Sequence, residues 1–143
     1  MDIPTPLAIS VTPYPHVQGL KTMSIVLTSY YAVNFFFNLI FKGWGIVLFF
    51  NLFHALGSAM GFPASSMPVL EKNAIWCMRF SKFNAIAIIV AIVSIIVNCI
   101  TNSLGWAIVR FILSAVGIWL HYTALQQSRG HEQDIINQYA AVV

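Results

Sequence analysis

The sequence predicts an all-α integral membrane protein: four transmembrane helices forming two antiparallel hairpins, with room for an interfacial helix between them. Three observations predict it. Charged residues make up 8% of the 143 residues and hydrophobic ones 59%, whereas soluble domains carry about 25% charged residues. Mean hydropathy is +0.80. Between Thr22 and Leu125 only Lys42, Glu71, Lys72, Arg79, Lys82 and Arg110 are charged, and all but Arg110 fall in the connections between long apolar runs.

The elements follow in order. Residues 1–22 form an N-terminal segment with prolines at 4, 6, 13 and 15. This segment lacks a basic stretch followed by an apolar one, so the first span is expected to act as its own uncleaved insertion signal. Residues 23–125 form the transmembrane domain, with spans at about 23–41, 44–62, 83–101 and 104–125, each near the ~20 residues that cross a ~30 Å hydrocarbon core. The uniformly apolar run from Ala85 to Val97 has no polar alternation to face a barrel lumen, so a helix is expected there despite its β-branched content.

Two short breaks, Phe41–Gly45 and Thr101–Gly105, are polar and glycine-bearing and force tight turns. The longer connector 63–82 mixes apolar residues with Glu71, Lys72, Arg79 and Lys82. Two readings stand for its 69–82 part: an interfacial helix with charges toward water, or an irregular link anchored by Trp76. Ser65 or Ser66 is placed to cap a helix before Pro68. In the tail, 126–143, Gly130 is expected to end or bend the fourth helix. Beyond it Ile135, Ile136 and Tyr139 suit either the apolar side of a short docked helix or a frayed end.

Four spans put both termini and the 63–82 connector on one side. That side carries Lys21, Lys72, Arg79, Lys82 and Arg129, against Lys42 alone in the opposite loops. The bias places both termini in the cytoplasm or the matrix or stromal equivalent. Trp44 and Trp106 then belong to one membrane interface and Trp76 to the other. Span lengths slightly favour the endoplasmic reticulum or Golgi; a mitochondrial inner membrane is the alternative.

The costly residues are the polar ones inside the spans. Arg110 sits about 8 Å from the non-cytoplasmic end of its span, with no Asp or Glu in any span. It snorkels to nearby phosphates, pairs with an acidic residue or lipid headgroup supplied by a neighbouring subunit, or serves ion conduction. Counting from the non-cytoplasmic end of each span, Asn34 and Asn51 lie about 10–12 Å deep and Asn38 and Asn98 about 6 Å. Together with His54 they define a candidate intramembrane polar network, in which interhelical carboxamide bonds are worth about 0.6–2 kcal/mol each. The same count puts His54 about 15 Å and His121 about 25 Å from that end. That offset separates the two imidazoles, speaks against a shared haem, and makes His121 an interfacial residue beside Tyr122 and Trp119. Small residues, namely Gly57 and Gly61, Ala87 and Ala91, and Gly117, mark candidate helix-packing positions. Cys77 and Cys99 fall on different elements without metal-binding spacing and read as unlinked thiols.

These residues narrow the function. No nucleophile–base pair, metal spacing or phosphate-binding glycine loop is present, so neither enzyme activity nor a cofactor is expected. Seven basic residues spread over loops form no nucleic-acid footprint. A proton- or cation-coupled carrier depends on an intramembrane carboxylate, which the spans lack. What remains is a small accessory or assembly subunit of a larger membrane complex, or a tetraspan adaptor, with the bilayer and other membrane subunits as partners. The alternative is a small transporter or channel for an anion or polar solute, using Arg110 and the asparagines.

Overall fold

Helices run through nearly all of the described residues, and what differs from one to the next is where each packs. The computed structural model describes residues 15–42, 45–66, 70–101 and 103–142, and every regular element among them is helical. The order is α1 (Pro15–Lys42), α2 (Ile46–Ser58), α3 (Gly61–Ser66), α4 (Leu70–Thr101) and α5 (Leu104–Val142). The expected positions of Trp44 and Pro68 lie outside the described residues. Four stretches are long and apolar enough to cross a membrane: His16–Phe41, Ile46–Ser66, Asn73–Ile100 and Leu104–Asn137. The chain is an integral membrane protein by that criterion.

Helix α1 begins at Pro15, whose fixed φ and missing N–H suit a first helical position. Its buried face reads Leu20, Ser24, Leu27, Tyr31 and Asn38, a stripe with helical spacing. Opposite it, Val33, Phe36, Phe37, Ile40 and Phe41 are exposed, as a lipid-facing surface requires.

The second span is interrupted. After Ser58 the helix gives way to two turn residues, Ala59 and Met60, and resumes as α3. Pro63 explains the position: it has no N–H, and its ring crowds the carbonyl four residues earlier, Ala59. That carbonyl instead accepts from Phe62 N at 3.1 Å, so Ser58 O loses its usual helical donor. The Ser24 hydroxyl replaces it at 2.6 Å, and a backbone acceptor freed inside the bilayer is satisfied by a neighbouring helix. The Ser65 and Ser66 hydroxyls both donate back to Phe62 O, at 3.0 and 2.6 Å; the residues either would cap lie outside the described ones.

Helix α4 starts at Leu70 and runs unbroken to Thr101, so residues 70–82 are its first turns rather than a separate element. Its buried seam, Asn73, Cys77, Phe80, Asn84, Ala87 and Ala91, alternates steps of three and four. The steps bring one narrow face of small and polar residues against α5. Helix α5 does not stop at Gly130; it continues to Val142. Its stripe of His121, Ala124, Leu125, Ser128, His131 and Ile135 is buried, whereas Ile136 is exposed. A Cβ on Gly130 would lie 2.8 Å from the His16 ring of α1. The glycine is therefore there for close packing, not for termination.

Contacts between helices run in opposite numerical order. Ser24 meets Ser58 while Tyr31 meets His54; Cys77 meets Ser128 while Asn84 meets His121; His16 meets Gln127 while Asn38 meets Arg110. The core of Leu20, Leu27, Tyr31, Ala64, Cys77, Phe80, Leu120 and Ala124 fills the end of the bundle near the termini. At the other end, near the two short connections, packing loosens: among the described residues none between Ala91 and Gly117 is buried. A bundle tight at one end and open at the other leaves space between helices, and the polar side chains line it.

Candidate functional site: a polar cavity above a four-helix latch

The asparagines obey one local rule. Asn34 Nδ2 donates to Tyr30 O at 2.9 Å, Asn38 Nδ2 to Asn34 O at 2.6 Å, Asn84 Nδ2 to Phe80 O at 2.7 Å and Asn98 Nδ2 to Ser94 O at 2.7 Å. Each amide nitrogen is thus bound to the carbonyl four residues back on its own helix, where side chains at i and i−4 are stacked neighbours. The carboxamide oxygen is left to accept, and a second N–H remains on each nitrogen, which for Asn98 goes to Ser94 Oγ at 3.1 Å. The interhelical bonds of Asn38 and Asn84 are made through oxygen acceptors.

Two such oxygens find donors. Asn38 Oδ1 accepts from Arg110 Nη2 at 2.5 Å, joining α1 to α5. The partner expected from a neighbouring subunit has a neutral counterpart inside the chain. Asn84 Oδ1 faces His121 Nδ1 at 2.7 Å. Since the Asn84 nitrogen is occupied by Phe80, its oxygen must accept, and His121 Nδ1 carries the proton. In the neutral ring His121 Nε2 is then a lone pair. Two groups address it: the Tyr31 hydroxyl at 3.0 Å and His54 Nδ1 at 3.1 Å. Tyr31 also stacks on His54, with centroids 4.4 Å apart and planes inclined by 13°.

Tyr31, His54, Asn84 and His121 come one each from α1, α2, α4 and α5, and all are buried. They form a polar latch that pins four helices at one level, in surroundings where an unpaired polar group is costly.

This arrangement overturns the depth comparison for the histidines. His121 is fully buried and is the centre of the latch, not an interfacial residue. Measured from their own helix starts, Ile46 and Leu104, the two histidines differ by about 13 Å. The starts are not flush, however. The direct contact between the two rings sets the start of α5 beyond that of α2. Side-chain reach covers the rest. Two nitrogens 3.1 Å apart in direct contact leave no space for an iron between them. No group of three or more metal-ligating side chains occurs among the described residues.

Above the latch lies a cavity of about 80 Å³. Its walls include Tyr30, Asn34, Asn51, Ser94, Asn98, Arg110 and Ser114, with Tyr31 and His54 at its base. Tyr30 closes one side by donating its hydroxyl to Leu113 O at 2.6 Å. Asn51, 8% exposed, leaves its Nδ2 without a hydrogen-bond partner. All five residues singled out with His54 therefore border one space or, for Asn38, hold its arginine. Below the latch lies the apolar core, and to the side the cavity shares Val47, Phe50, Val90, Ser94, Asn98 and Arg110 with a larger groove between α2 and α4.

The small residues have distinct places. A Cβ at Gly57 would fall 2.0 Å from the Phe83 ring, at Gly61 2.7 Å from Ser24, and at Gly117 2.7 Å from the Tyr31 hydroxyl. Ala87 and Ala91 lie buried on the α4 seam. Sequence reasoning missed Tyr31 and Asn84. The signal was present: Ser24, Tyr31 and Asn38 recur at intervals of seven on α1, and Asn84 shares a face with Ala87 and Ala91. Comparison with protein-family models, curated proteins and solved structures finds no match.

Proposed function

We propose that this chain is a small accessory or assembly subunit of a membrane complex, or a tetraspan adaptor, that performs no chemistry of its own. It would insert as two antiparallel hairpins with both termini in the cytoplasm or its equivalent, in an endomembrane by preference. The first turns of α4 would then lie at the headgroup level, where Arg79 stands 5.1 Å above the Trp76 ring, a cation–π pairing suited to an interface.

One observation carries the reading: α5 continues as a helix to Val142, and its terminal part is held firmly. His131 Nε2 pairs with Asn73 Oδ1 at 2.9 Å, Cys77 donates to Ser128 O at 3.0 Å, and His16 pairs with Gln127 at 3.2 Å. The opposite side of that segment, Gln126, Arg129, Gln133, Ile136 and Asn137, is exposed. A rigid helical face at the terminal end suits an adaptor, because a preorganised surface loses little entropy on docking.

A photo-crosslinking amino acid at Gln133 or Ile136, activated in the native membrane, should give a protein adduct of one defined mass. The same probe at Ile100 should give none. Self-adducts alone, or none anywhere, would dismiss the adaptor reading. A second reading, a carrier for a small anion or polar solute, is favoured by the cavity beside Arg110 and the unsatisfied Asn51 nitrogen. In the same preparation reconstituted into vesicles, anion efflux lost on Arg110→Gln would support it, and no efflux above empty vesicles would remove it.

A further inference from the structure

We propose that the seam between α2 and α4 is a binding site for one anionic phospholipid, its phosphate on Arg110 and an acyl chain along Ile46, Phe50, Ile89 and Val93. The proposal is independent of the adaptor reading, since it needs no protein partner. α2 touches α4 sparsely, and a cavity of about 480 Å³ occupies the gap, within the ~300–1,000 Å³ of small-molecule sites. Its walls are apolar except for Ser94, Asn98 and Arg110. The polar groups gather toward one end of the seam, where Ile46, Val47 and Val97 also lie. Ile89, Val90 and Phe50 lie toward the latch, whereas Asn98 and Arg110 lie toward the short connections.

Toward the latch the seam is closed. The Phe83 ring fills the space that a side chain at position 57 would take, and it packs on Phe53, His54 and His121 with centroids 5.4 to 6.3 Å apart. The groove lining stops short of that ring, at Phe50 on α2 and Ile89 on α4.

Charge selects the headgroup. Arg110 brings a cation to a region where the spans contain no carboxylate, and its bond to Asn38 is to a neutral amide. That bond fixes one nitrogen of a guanidinium that has five N–H donors. A phosphate matches the remaining fork in the bidentate manner that arginine favours over lysine. Depth agrees: Arg110 lies about 9 Å from the start of α5, and the headgroup zone adds about 5–8 Å on each side of the hydrocarbon core. A lipid phosphate thus meets Arg110 while its chain points toward the bilayer centre, down the groove.

Native mass spectrometry of the full chain, titrated with phosphatidylglycerol or phosphatidylcholine in detergent, tests this. One phosphatidylglycerol should be retained at a lipid concentration lower by about tenfold, equivalent to about 1.4 kcal/mol. Arg110→Gln should bring the two lipids to the same concentration, Arg110→Lys should keep part of the preference, and Arg79→Gln at the other end should leave it intact. Val93→Trp, which fills the groove while keeping the charge, should abolish retention of both lipids. The proposal is overturned if Arg110→Gln keeps the preference, if Val93→Trp leaves retention unchanged, or if excess inorganic phosphate displaces the lipid, which would make this a site for a free anion.

Discussion

At the scale of single residues, the decisive chemistry is how hydrogen-bond donors are shared around His121. Its Nδ1 proton goes to Asn84 and its Nε2 lone pair is addressed by both Tyr31 and His54, so the ring is fully engaged and Asn84 is its sole acceptor of a proton. Asn84→Leu removes that acceptor and leaves a buried N–H without a partner, a loss of about 1–3 kcal/mol. His121→Phe keeps the ring volume and removes the demand. The two substitutions together should therefore cost less than their sum, with a coupling of about 1–2 kcal/mol. Thermal unfolding of the four proteins of this cycle in one detergent measures it. Strictly additive effects would mean that the 2.7 Å contact contributes nothing to the bundle.

At the scale of elements, α5 gives a test in which local propensity and packing have opposite signs. Glycine inside a helix is worse than alanine by about 1 kcal/mol, so a terminating or merely tolerated Gly130 would be improved by Gly130→Ala. In the packed structure the new methyl meets the His16 ring of α1, which is also held by Gln127. Gly130→Ala should lower the unfolding midpoint, and Gly130→Ala in a His16→Ala background should raise it relative to His16→Ala alone. A rise in both backgrounds would show that α1 does not rest on Gly130.

The same helix shows what the sequence made legible. Four apolar runs and two polar breaks defined the spans, because partition into lipid is a property of composition and length. The continuation of α5 through Gly130 was hidden, since a glycine that ends a helix and one that admits a neighbour look alike until the neighbour is placed. The break after Ser58 was not legible: the second span was expected to run unbroken over about 44–62, and Ser24, which caps the freed carbonyl, lies on another helix.

At the scale of the whole molecule, the site was legible as a set and not as a geometry. Arg110, Asn34, Asn51, Asn98 and His54 do line one cavity, because polar side chains in hydrocarbon gather wherever helices leave a gap. Their relation to His121 was not, since depths counted from each helix start assume flush ends and α5 overhangs α2. That overhang, together with the loosened packing between Ala91 and Gly117, makes the two ends of the bundle different environments. The proposed orientation turns on which end faces which compartment. With Cys99 replaced by serine and Cys77 left buried, single cysteines at Arg129 and Ser103, both exposed, report the two ends to a membrane-impermeant maleimide. In sealed vesicles with the cytoplasmic face inward, Ser103→Cys should label at once and Arg129→Cys only after permeabilisation, as the five-to-one distribution of lysine and arginine in the connections demands. Labelling in the reverse order would invert the orientation and move the Arg110 cavity to the cytoplasmic side. Labelling of both sites from outside would break the count of four crossings.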